Sequence, residues 1–588
     1  MSGKPSKLSQ FWEELKRRKV IYVITVYASA AFVIIELVNN VFEPLNLPDR
    51  TPTYAIIILA IGFPIAIILS WIFDLTSKGV EKTKPLIESQ QAGKSVTTNG
   101  WKIATYVSIA VIIGLIVLNL AGGARQLKAG DIQSLLILPF DNLTGDDQLD
   151  YVAAGMHSSL IGDMGQISSL RVFSKTTARV YKNVGMSLPQ IATELNADAV
   201  VEATVMCYGD TVCVQIRVIT PFPEEKQLWM AEYKEEKSQI MNLYNRVTKQ
   251  IADEVKVQLT PKEEQLLAES KTINKEAYDA YLKGLYYWDQ NTPEALQLSL
   301  EYFNNAIEAD PDWAQPYAGV AYYWVAIHQF SLAPSSVTIP NMYENLNKAI
   351  ELDPNSSFVH YVNAMVNGWT AWNWEKAEQE LLKVLEINPN DAFGHMYYAH
   401  LLSCQRRIEE ANSHCRIALD LDPLNPMIQA LSTMVLANAG EYEEAMSMGL
   451  KAMEVVPSLA GLANISAIYL FMDEYRKSLE LWTTMLQLDD DTRNSILNIF
   501  DEQGKVAAVK EFIIELQLAT GDYFPAELGQ LHALAGDESM ALYWYEKAYE
   551  AHHPMLPYIN TVFGYGGPFK IEDPGFDSLI IKMNLPLE

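Results

Sequence analysis

The segment AIEADP, residues 306–311, recurs in altered form as AIELDP (349–354), VLEINP (384–389), ALDLDP (418–423) and AMEVVP (452–457). The last three intervals between the closing prolines are 35, 34 and 34 residues. A fixed period of this length is typical of stacked helix-turn-helix units, none of which can bury its apolar face alone. The sequence therefore predicts an all-α solenoid over residues 271–555. Solenoids of this kind offer concave surfaces for binding other proteins.

A second regularity precedes each proline, where small and large side chains alternate at fixed spacing. Four units show it: Ser299, Phe303, Ala306, Pro311; Ala377, Leu381, Val384, Pro389; Ala411, Cys415, Ala418, Pro423; and Ala445, Gly449, Ala452, Pro457. These positions resemble tetratricopeptide (TPR) repeats, and the resemblance implies about eight units, followed by a tail at 556–588. A nine-residue excess at 331–340 is expected in a turn between helices, as a spacer or as a recognition element.

Three apolar runs lie in the amino-terminal part, at 20–42, 54–73 and 103–121. Each has about 20 residues, which at ~1.5 Å rise per residue matches the ~30 Å hydrocarbon layer of a membrane. We therefore predict a three-helix transmembrane anchor over 20–122, preceded by an amphipathic cytoplasmic segment at 1–19. Lysines and arginines cluster before the first run and between the second and third, which predicts a cytoplasmic amino terminus and periplasmic carboxyl-terminal domains in a bacterial inner membrane.

The segment between the anchor and the solenoid alternates short strand and helix patterns. Its sequence contains SLLILPFDNLTGDDQLDYVAAGM (134–156), LRVFSKTTA (170–178), IATELNADAVVEATV (191–205) and QLWMAEY (227–233). These blocks resemble the FlgO/TolB amino-terminal-like domain of bacterial envelope proteins. The resemblance implies a small mixed α/β domain over 132–260 without established catalytic residues.

The amino-terminal runs resemble the membrane anchor of bacterial TPR proteins, some of them termed adenylate cyclase-related. The predicted cytoplasmic parts are too short to hold a cyclase domain. The sequence also has no Gly-x-x-x-x-Gly-Lys-Ser/Thr phosphate loop, no His-Glu-x-x-His and no Gly-x-Ser-x-Gly motif. We therefore predict a protein that is not an enzyme and has no cofactor.

The four cysteines form two close pairs, Cys207 with Cys213 and Cys404 with Cys415. The first pair flanks a turn at Gly209 and Asp210, and only an odd-length loop would bring the two cysteines together on one face. The second pair has three interpretations: a disulfide, a zinc site completed by His400 and His414, or packing of small side chains. Packing is the favoured interpretation, and no metal is expected.

Aromatic residues are dense in the first three predicted units. Most must fill seams between helices, but some could line the concave surface and stack on a peptide or a sugar. The candidates for partner binding are Tyr287, Trp288, Tyr323, Trp324, Trp372 and Trp374.

The partner of the predicted solenoid is constrained by charge. The whole chain has a formal net charge of −28, and the acidic excess lies outside the basic amino-terminal part. This excess argues against nucleic acid and favours a basic or neutral protein or peptide. We therefore predict a membrane-anchored periplasmic scaffold that contacts the lipid bilayer, with homo-oligomers possible. The alternative is a transmembrane sensor that relays periplasmic ligand binding to a cytoplasmic partner.

Overall fold

The structure, a computed structural model, describes residues 132–587 except 183, 223, 268–272, 291, 331, 456–458, 522–523 and 562–570. It also describes scattered residues between 20 and 82. The chain divides into two compact units, Met1–Gln126 and Leu127–Glu588.

The first unit corrects the membrane prediction. Its described helical residues fall within 20–35 and 56–63, and strands β1 (Phe73–Thr76) and β2 (Gly79–Lys82) form an antiparallel pair. In the described part of the chain, no helix has both the length and the apolar character required to cross a bilayer. The predicted three-helix transmembrane anchor and the inner-membrane localisation with periplasmic domains are therefore wrong.

The physical reason is that an apolar run records composition, whereas a span also requires about 20 consecutive helical residues. The second run, at 54–73, ends in strand β1 and not in a helix. The third run, at 103–121, and the segment at 1–19 lie outside the described residues.

An α/β domain opens the second unit. Strand β3 pairs in parallel with β5 and β6, β4 pairs with β6, and β6, β7 and β8 follow one another in antiparallel order. The strands are β3 (Ser134–Ile137), β4 (Asp141–Asn142), β5 (Arg171–Val172), β6 (Ala199–Tyr208), β7 (Thr211–Thr220) and β8 (Lys226–Glu236). The helices are α1 (Asp150–Gly165), α2 (Lys175–Val180), α3 (Leu188–Leu195), α4 (Ile240–Glu254) and α5 (Pro261–Leu266).

The sheet of this domain is covered on both faces because side chains alternate along its strands. Leu135 and Ile137 belong to the core that includes α1 and α4, whereas Leu136 and Val200 belong to the core with α2 and α3.

Sixteen further helices of the described chain form eight consecutive pairs. They are α6 (Lys275–Trp288), α7 (Pro293–Ala309), α8 (Ala314–Gln329), α9 (Ser335–Leu352), α10 (Ser357–Trp369), α11 (Trp374–Ile387), α12 (Ala392–Cys404), α13 (Ile408–Leu421), α14 (Pro426–Asn438), α15 (Tyr442–Val455), α16 (Leu459–Phe471), α17 (Tyr475–Met485), α18 (Asp490–Gln503), α19 (Lys505–Thr520), α20 (Pro525–Leu534) and α21 (Glu538–Glu550). First helices also meet directly, as α8 does with α10 and α12 with α14. This arrangement is a TPR-like solenoid.

The sequence excess before Pro354 is mostly helical. Helix α9 has 18 residues and contains Pro340, so the extra residues lengthen its first turns in place of enlarging a loop. Pro340 is the sixth residue of α9, beyond the first turn, so the helix lacks the one backbone hydrogen bond that this residue would otherwise donate.

Close packing at glycine explains why the first two pairs keep their spacing. The ring of buried Phe303 lies between Gly284 and Gly319, and a Cβ added at Gly284 would lie 2.5 Å from its Cδ1 and Cε1 atoms. The corresponding contact in the last pair joins Gly529 to the ring of Tyr545.

We expect Gly284→Ala to lower the free energy of unfolding by about 2 kcal/mol, because a packed core must shift to accept the extra methyl group. Urea denaturation followed by circular dichroism measures this change. Gly162→Ala is the control, because no atom lies within 4 Å of a Cβ placed there. Equal stability of the Gly284→Ala and wild-type chains would contradict the prediction.

After α21 the chain turns back onto the solenoid. Leu556–Asn560 form a 3-10 helix and Pro574–Lys582 form helix α22. Leu556, Ile559 and Met583 are buried in the same core as the middle helix pairs. We call residues 551–587, where described, the carboxyl-terminal segment.

Candidate partner-binding site

A row of aromatic rings follows the first helices of pairs one to four. Trp288 of α6 lies 4.7 Å from Tyr322 of α8, measured between ring centroids, and Tyr322 lies 5.7 Å from Tyr361 of α10. Tyr397 of α12 lies 5.9 Å from Tyr361 and 5.4 Å from Trp369. We call these five residues the aromatic row.

The aromatic row does not repeat one helix position. Trp288, Tyr322, Tyr361 and Tyr397 are 34, 39 and 36 residues apart, and they are the last residue of α6, the ninth of α8, the fifth of α10 and the sixth of α12. Only Trp288 of this row was among the sequence candidates. The other four residues were missed because the fold, and not a repeated position, brings their rings together.

The hydroxyl groups of the aromatic row stay protonated at neutral pH. Burial raises the pKa of Tyr322, Tyr361 and Tyr397 above the ordinary tyrosine value. Asp391, at the start of α12, also has a raised pKa because of burial, although its carboxylate accepts a hydrogen bond from the Gly394 N–H. Tyr361 and Trp369 are buried, whereas Trp288, Tyr322 and Tyr397 are partly exposed, so the accessible part of the row consists of these three rings.

The six sequence candidates do not form one site. Tyr287 stacks on Tyr302 at 5.4 Å, and Trp288 belongs to the aromatic row. Tyr323 and Trp324 contact each other edge to face on α8. Trp372 and Trp374 are only 4% and 5% exposed, and Trp374 lies 6.4 Å from Trp369 of the aromatic row, measured between ring centroids.

The carboxyl-terminal segment covers the last two candidates. Trp374 donates from Nε1 to the carbonyl of Met583 at 2.7 Å, and Asn584 donates from Nδ2 to the carbonyl of Trp372 at 3.3 Å. The ring of His552 stacks on Trp372 at 4.8 Å. These tryptophans therefore contact a polypeptide, but it is part of the same chain.

Tyr558 of the carboxyl-terminal segment hydrogen-bonds two side chains of the solenoid. Trp369 donates from Nε1 to the Tyr558 hydroxyl at 2.8 Å, and this hydroxyl lies 3.2 Å from Nδ1 of His400. Nε2 of His400 lies 3.0 Å from the carbonyl of Leu431. An indole N–H can only donate and a carbonyl can only accept, so Tyr558 donates to His400, whose proton is on Nε2. We call Trp369 and His400 the tyrosine clamp.

Burial keeps the clamp histidine neutral. It lowers the pKa of His400 to about 4, and His400 has no exposed surface. A protonated Nδ1 could no longer accept the Tyr558 hydroxyl proton, so the hydrogen-bond chain requires neutral imidazole.

Asn560 makes the second set of contacts. Its Nδ2 donates to the carbonyl of Cys404 at 3.3 Å and to that of Pro586 at 2.7 Å. Its Oδ1 accepts a hydrogen bond from Nε of Arg406 at 3.0 Å. The Asn560 side chain is 3% exposed, so both ends of its amide are satisfied inside the protein.

The residues weighed as a zinc site have other contacts. Cys404 and Cys415 are buried free thiols whose pKa burial raises. His414 faces His395, with their Nδ1 atoms 2.8 Å apart. Within the described ranges, no group of His, Cys, Asp and Glu is placed to hold a metal ion.

Cys207 and Cys213 are disulfide-bonded across the β6–β7 hairpin. The register pairs Tyr208 with Val212 and Cys207 with Cys213, so the loop has an odd number of residues. The hairpin tip also contacts α6, because Tyr208 hydrogen-bonds Asp279 and Asp210 pairs with Lys275 at 2.9 Å.

Replacing both Cys207 and Cys213 with serine should lower the free energy of unfolding of the α/β domain by about 2 kcal/mol, the value for a loop of this size. Hydrogen exchange of strands β6 and β7 measures it. The matched control is Cys415→Ser, which breaks no disulfide. Unchanged exchange in the double variant would contradict the prediction.

The repeated turns of the solenoid hold the α/β domain. Oδ1 of Asn390 accepts a hydrogen bond from the N–H of Val172 at 2.9 Å, next to VLEINP. Oδ1 of Asp422, within ALDLDP, accepts one from the Thr177 hydroxyl at 2.8 Å. A cleft of about 580 Å³ lies beside these turns. The repeat turns therefore fix the domain in place.

The sequence matches no protein-family profile. A curated relative, putative adenylate cyclase 3 of Rhizobium meliloti (strain 1021), is 25% identical over 239 residues. That match covers 40% of this chain and 40% of the relative, so the chain spans less than half of the curated relative's length.

Three solved structures illustrate the fold likeness. The pilF protein of Pseudomonas aeruginosa is 16% identical, with 36% of this chain and 92% of that chain covered and a TM-score of 0.28. Human IFIT1 with m7Gppp-AAAA is 13% identical, with 52% and 77% covered and a TM-score of 0.34. A thermophilic TPR protein of Thermus thermophilus, TTC0263, is 16% identical, with 33% and 99% covered and a TM-score of 0.28. Likenesses this distant say nothing about partners, and the solenoid is assigned from its own helix pairs.

Proposed function

We propose that this chain is a scaffold that binds a protein or peptide partner on the aromatic row of its solenoid. The observation that carries the proposal is the alignment of Trp288, Tyr322, Tyr361 and Tyr397 along four consecutive first helices. Aromatic side chains contribute large contact area with little conformational freedom to lose, which suits them to binding surfaces.

The proposed partner is basic or neutral. The solenoid belongs to the acidic part of a chain with a formal net charge of −28. Asp391, beside the aromatic row, has a raised pKa because it is buried, so a lysine or arginine of the partner would stabilise its ionised form. The same negative charge disfavours binding of nucleic acid. A second copy of this chain is an alternative partner.

The α/β domain would act in this scheme as a fixed platform. Its sequence blocks resemble the FlgO/TolB amino-terminal-like domain, and its contacts with Asn390 and Asp422 hold it against the repeat turns. The sensor alternative requires the transmembrane anchor, which the structure contradicts.

A photo-crosslinking amino acid at position 323 tests the proposal, because Tyr323 is partly exposed on α8 next to the aromatic row. We expect one predominant crosslinked protein at near-stoichiometric yield, identified by mass spectrometry, and its loss when Trp288 and Tyr322 are both changed to alanine. The control position is 543, where Tyr543 is 46% exposed on α21. Equal crosslinking from both positions, or none from 323, would overturn the proposal.

We also propose that the chain has no cyclase activity of its own. The purified chain with ATP and Mg²⁺ or Mn²⁺ should form no cyclic AMP above a heat-denatured control. Turnover that persists through purification to homogeneity would contradict this proposal.

A further inference from the structure

We propose that the tyrosine clamp, with Arg406 and the Cys404 carbonyl, is a peptide site for a tyrosine followed two residues later by an asparagine. The chain's own Tyr558 and Asn560 fill this site, and a partner segment carrying the same pair binds by replacing them. This inference rests on the proposed function and names the partner chemistry of one end of the same surface.

The first support is the specificity of the tyrosine contact. The Tyr558 hydroxyl accepts from Trp369 and donates to His400, so it uses both of its hydrogen-bonding capacities on side chains of the solenoid. A phenylalanine would leave a buried indole N–H and a buried imidazole nitrogen without partners. The site therefore selects tyrosine over phenylalanine.

The second support is the amide contact. Asn560 donates to the carbonyl of Cys404 and accepts from Arg406. Aspartate would pair with Arg406 but would place a carboxylate oxygen against the Cys404 carbonyl, where only a donor fits. The site therefore selects asparagine over aspartate, although Arg406 carries a positive charge.

The spacing of the two contacts is built into one helix. His400 and Cys404 are four residues apart on α12, which places them on one face, one turn apart. The ligand presents its tyrosine and asparagine from a 3-10 helix, Leu556–Asn560. A short linear segment is therefore sufficient to supply both groups.

The site is continuous with the aromatic row. Trp369 belongs to both, and the ring of Tyr397 lies 6.2 Å from that of His400. A partner lying on the aromatic row would reach the clamp at its far end. The carboxyl-terminal segment occupies that end as an internal competitor.

The test uses the full chain and a fluorescein-labelled synthetic peptide of residues 551–561, AHHPMLPYINT. Tyr558→Phe in the protein removes both clamp hydrogen bonds and retains the ring, which weakens the internal competitor. By fluorescence anisotropy we expect the Tyr558→Phe chain to bind the peptide at least tenfold more tightly than the wild-type chain. Changing the peptide's tyrosine to phenylalanine, or its asparagine to aspartate, should weaken binding about tenfold.

Two further variants make every outcome decisive. Adding His400→Ala to the Tyr558→Phe chain should abolish specific binding, whereas adding Tyr543→Phe, at an exposed residue of α21, should not. If circular dichroism shows that the Tyr558→Phe chain is folded but this chain does not bind the peptide, the segment is a fixed part of the core. The inference is then overturned. Equal binding with and without His400 overturns it too. If the Tyr558→Phe chain does not fold, the Asn560→Ala chain is used instead, with the same expected gain in peptide binding. If neither variant folds, the segment cannot be replaced by a peptide, and the inference is overturned.

The outcome separates this inference from the proposed function. A partner crosslinked from position 323 together with failure of the peptide would leave the scaffold function standing and remove the clamp as its site. Peptide binding without a crosslinked partner would do the reverse.

Discussion

Trp369→Ala is expected to lower the free energy of unfolding by about 4 kcal/mol and to release the carboxyl-terminal segment. The Trp369 side chain is 2% exposed and packs on both Tyr397 and Trp374, and removing a buried aromatic ring typically costs about 3–5 kcal/mol. The substitution also removes the donor to the Tyr558 hydroxyl. Urea denaturation and hydrogen exchange of residues 551–561 measure the two effects.

Trp369→Phe separates packing from hydrogen bonding. Phenylalanine retains most of the ring but has no N–H, so its cost should be about 1–2 kcal/mol, close to the value for one buried hydrogen bond. Trp324→Ala is the matched control, because Trp324 is a partly buried tryptophan of α8. The prediction is contradicted if Trp369→Ala and Trp324→Ala lower the free energy of unfolding equally. It is also contradicted if the carboxyl-terminal segment remains protected from hydrogen exchange in the Trp369→Ala chain.

The solenoid was predictable because its information is local and repeated. Ala377 and Ala411 each stand twelve residues before the closing proline of their unit, Pro389 and Pro423, and helix pairing follows from such fixed offsets. The continuous apolar run that begins at Leu135 likewise predicts a buried strand, and β3 is that strand. In both cases neighbouring residues determine the structure.

The carboxyl-terminal segment was not predictable because its contacts are distant in sequence. Trp369 and Tyr558 are separated by 189 residues, and no periodicity links them. Trp372 and Trp374 therefore look like free surface aromatics in the sequence, although the segment covers them. The aromatic row was not predictable either, because its members stand at different positions of their helices and only the fold brings the rings together.

The prediction of a membrane anchor was wrong for a different reason. The apolar runs satisfied a composition test, and composition alone cannot determine whether a run continues as one helix. Phe73, the last residue of the second run, opens strand β1.

Acid is expected to destabilise the second unit strongly between pH 6.5 and 4. Burial lowers the pKa of His157, His328, His395 and His400 to about 4, against about 6.5 in an unfolded chain. Within this interval the unfolded chain binds protons at these histidines and the folded chain does not. Their contribution to stability is therefore fully present above pH 6.5 and is lost as the pH falls towards 4. Each histidine can contribute on the order of 2–3 kcal/mol.

Buried carboxyl groups act in the opposite direction. Burial raises the pKa of Asp163 to about 7, so the folded chain takes up a proton there before the unfolded chain does, and this uptake favours folding as the pH falls. Asp391 and Asp422 also have pKa values raised by burial. The destabilisation from the four histidines exceeds the stabilisation from these carboxyl groups. We therefore expect the free energy of unfolding to fall by on the order of 5 kcal/mol by pH 4.5. Urea denaturation at pH 7.5, 6.5, 5.5 and 4.5 measures it.

His395 shows why the histidines resist protonation. Its Nε2 lies 3.1 Å from the carbonyl of Pro389 and must donate to it, so its Nδ1 accepts from Nδ1 of His414 at 2.8 Å. A second proton on His395 would set two N–H groups against each other.

His395→Gln should therefore reduce the loss of stability between pH 7.5 and 4.5 by about 2 kcal/mol, the share of one histidine. His414→Gln is the comparison, since His414 is less buried and should contribute less. A stability that is flat or rises on acidification would contradict the prediction, because the folded chain would then accommodate charged imidazole at these positions.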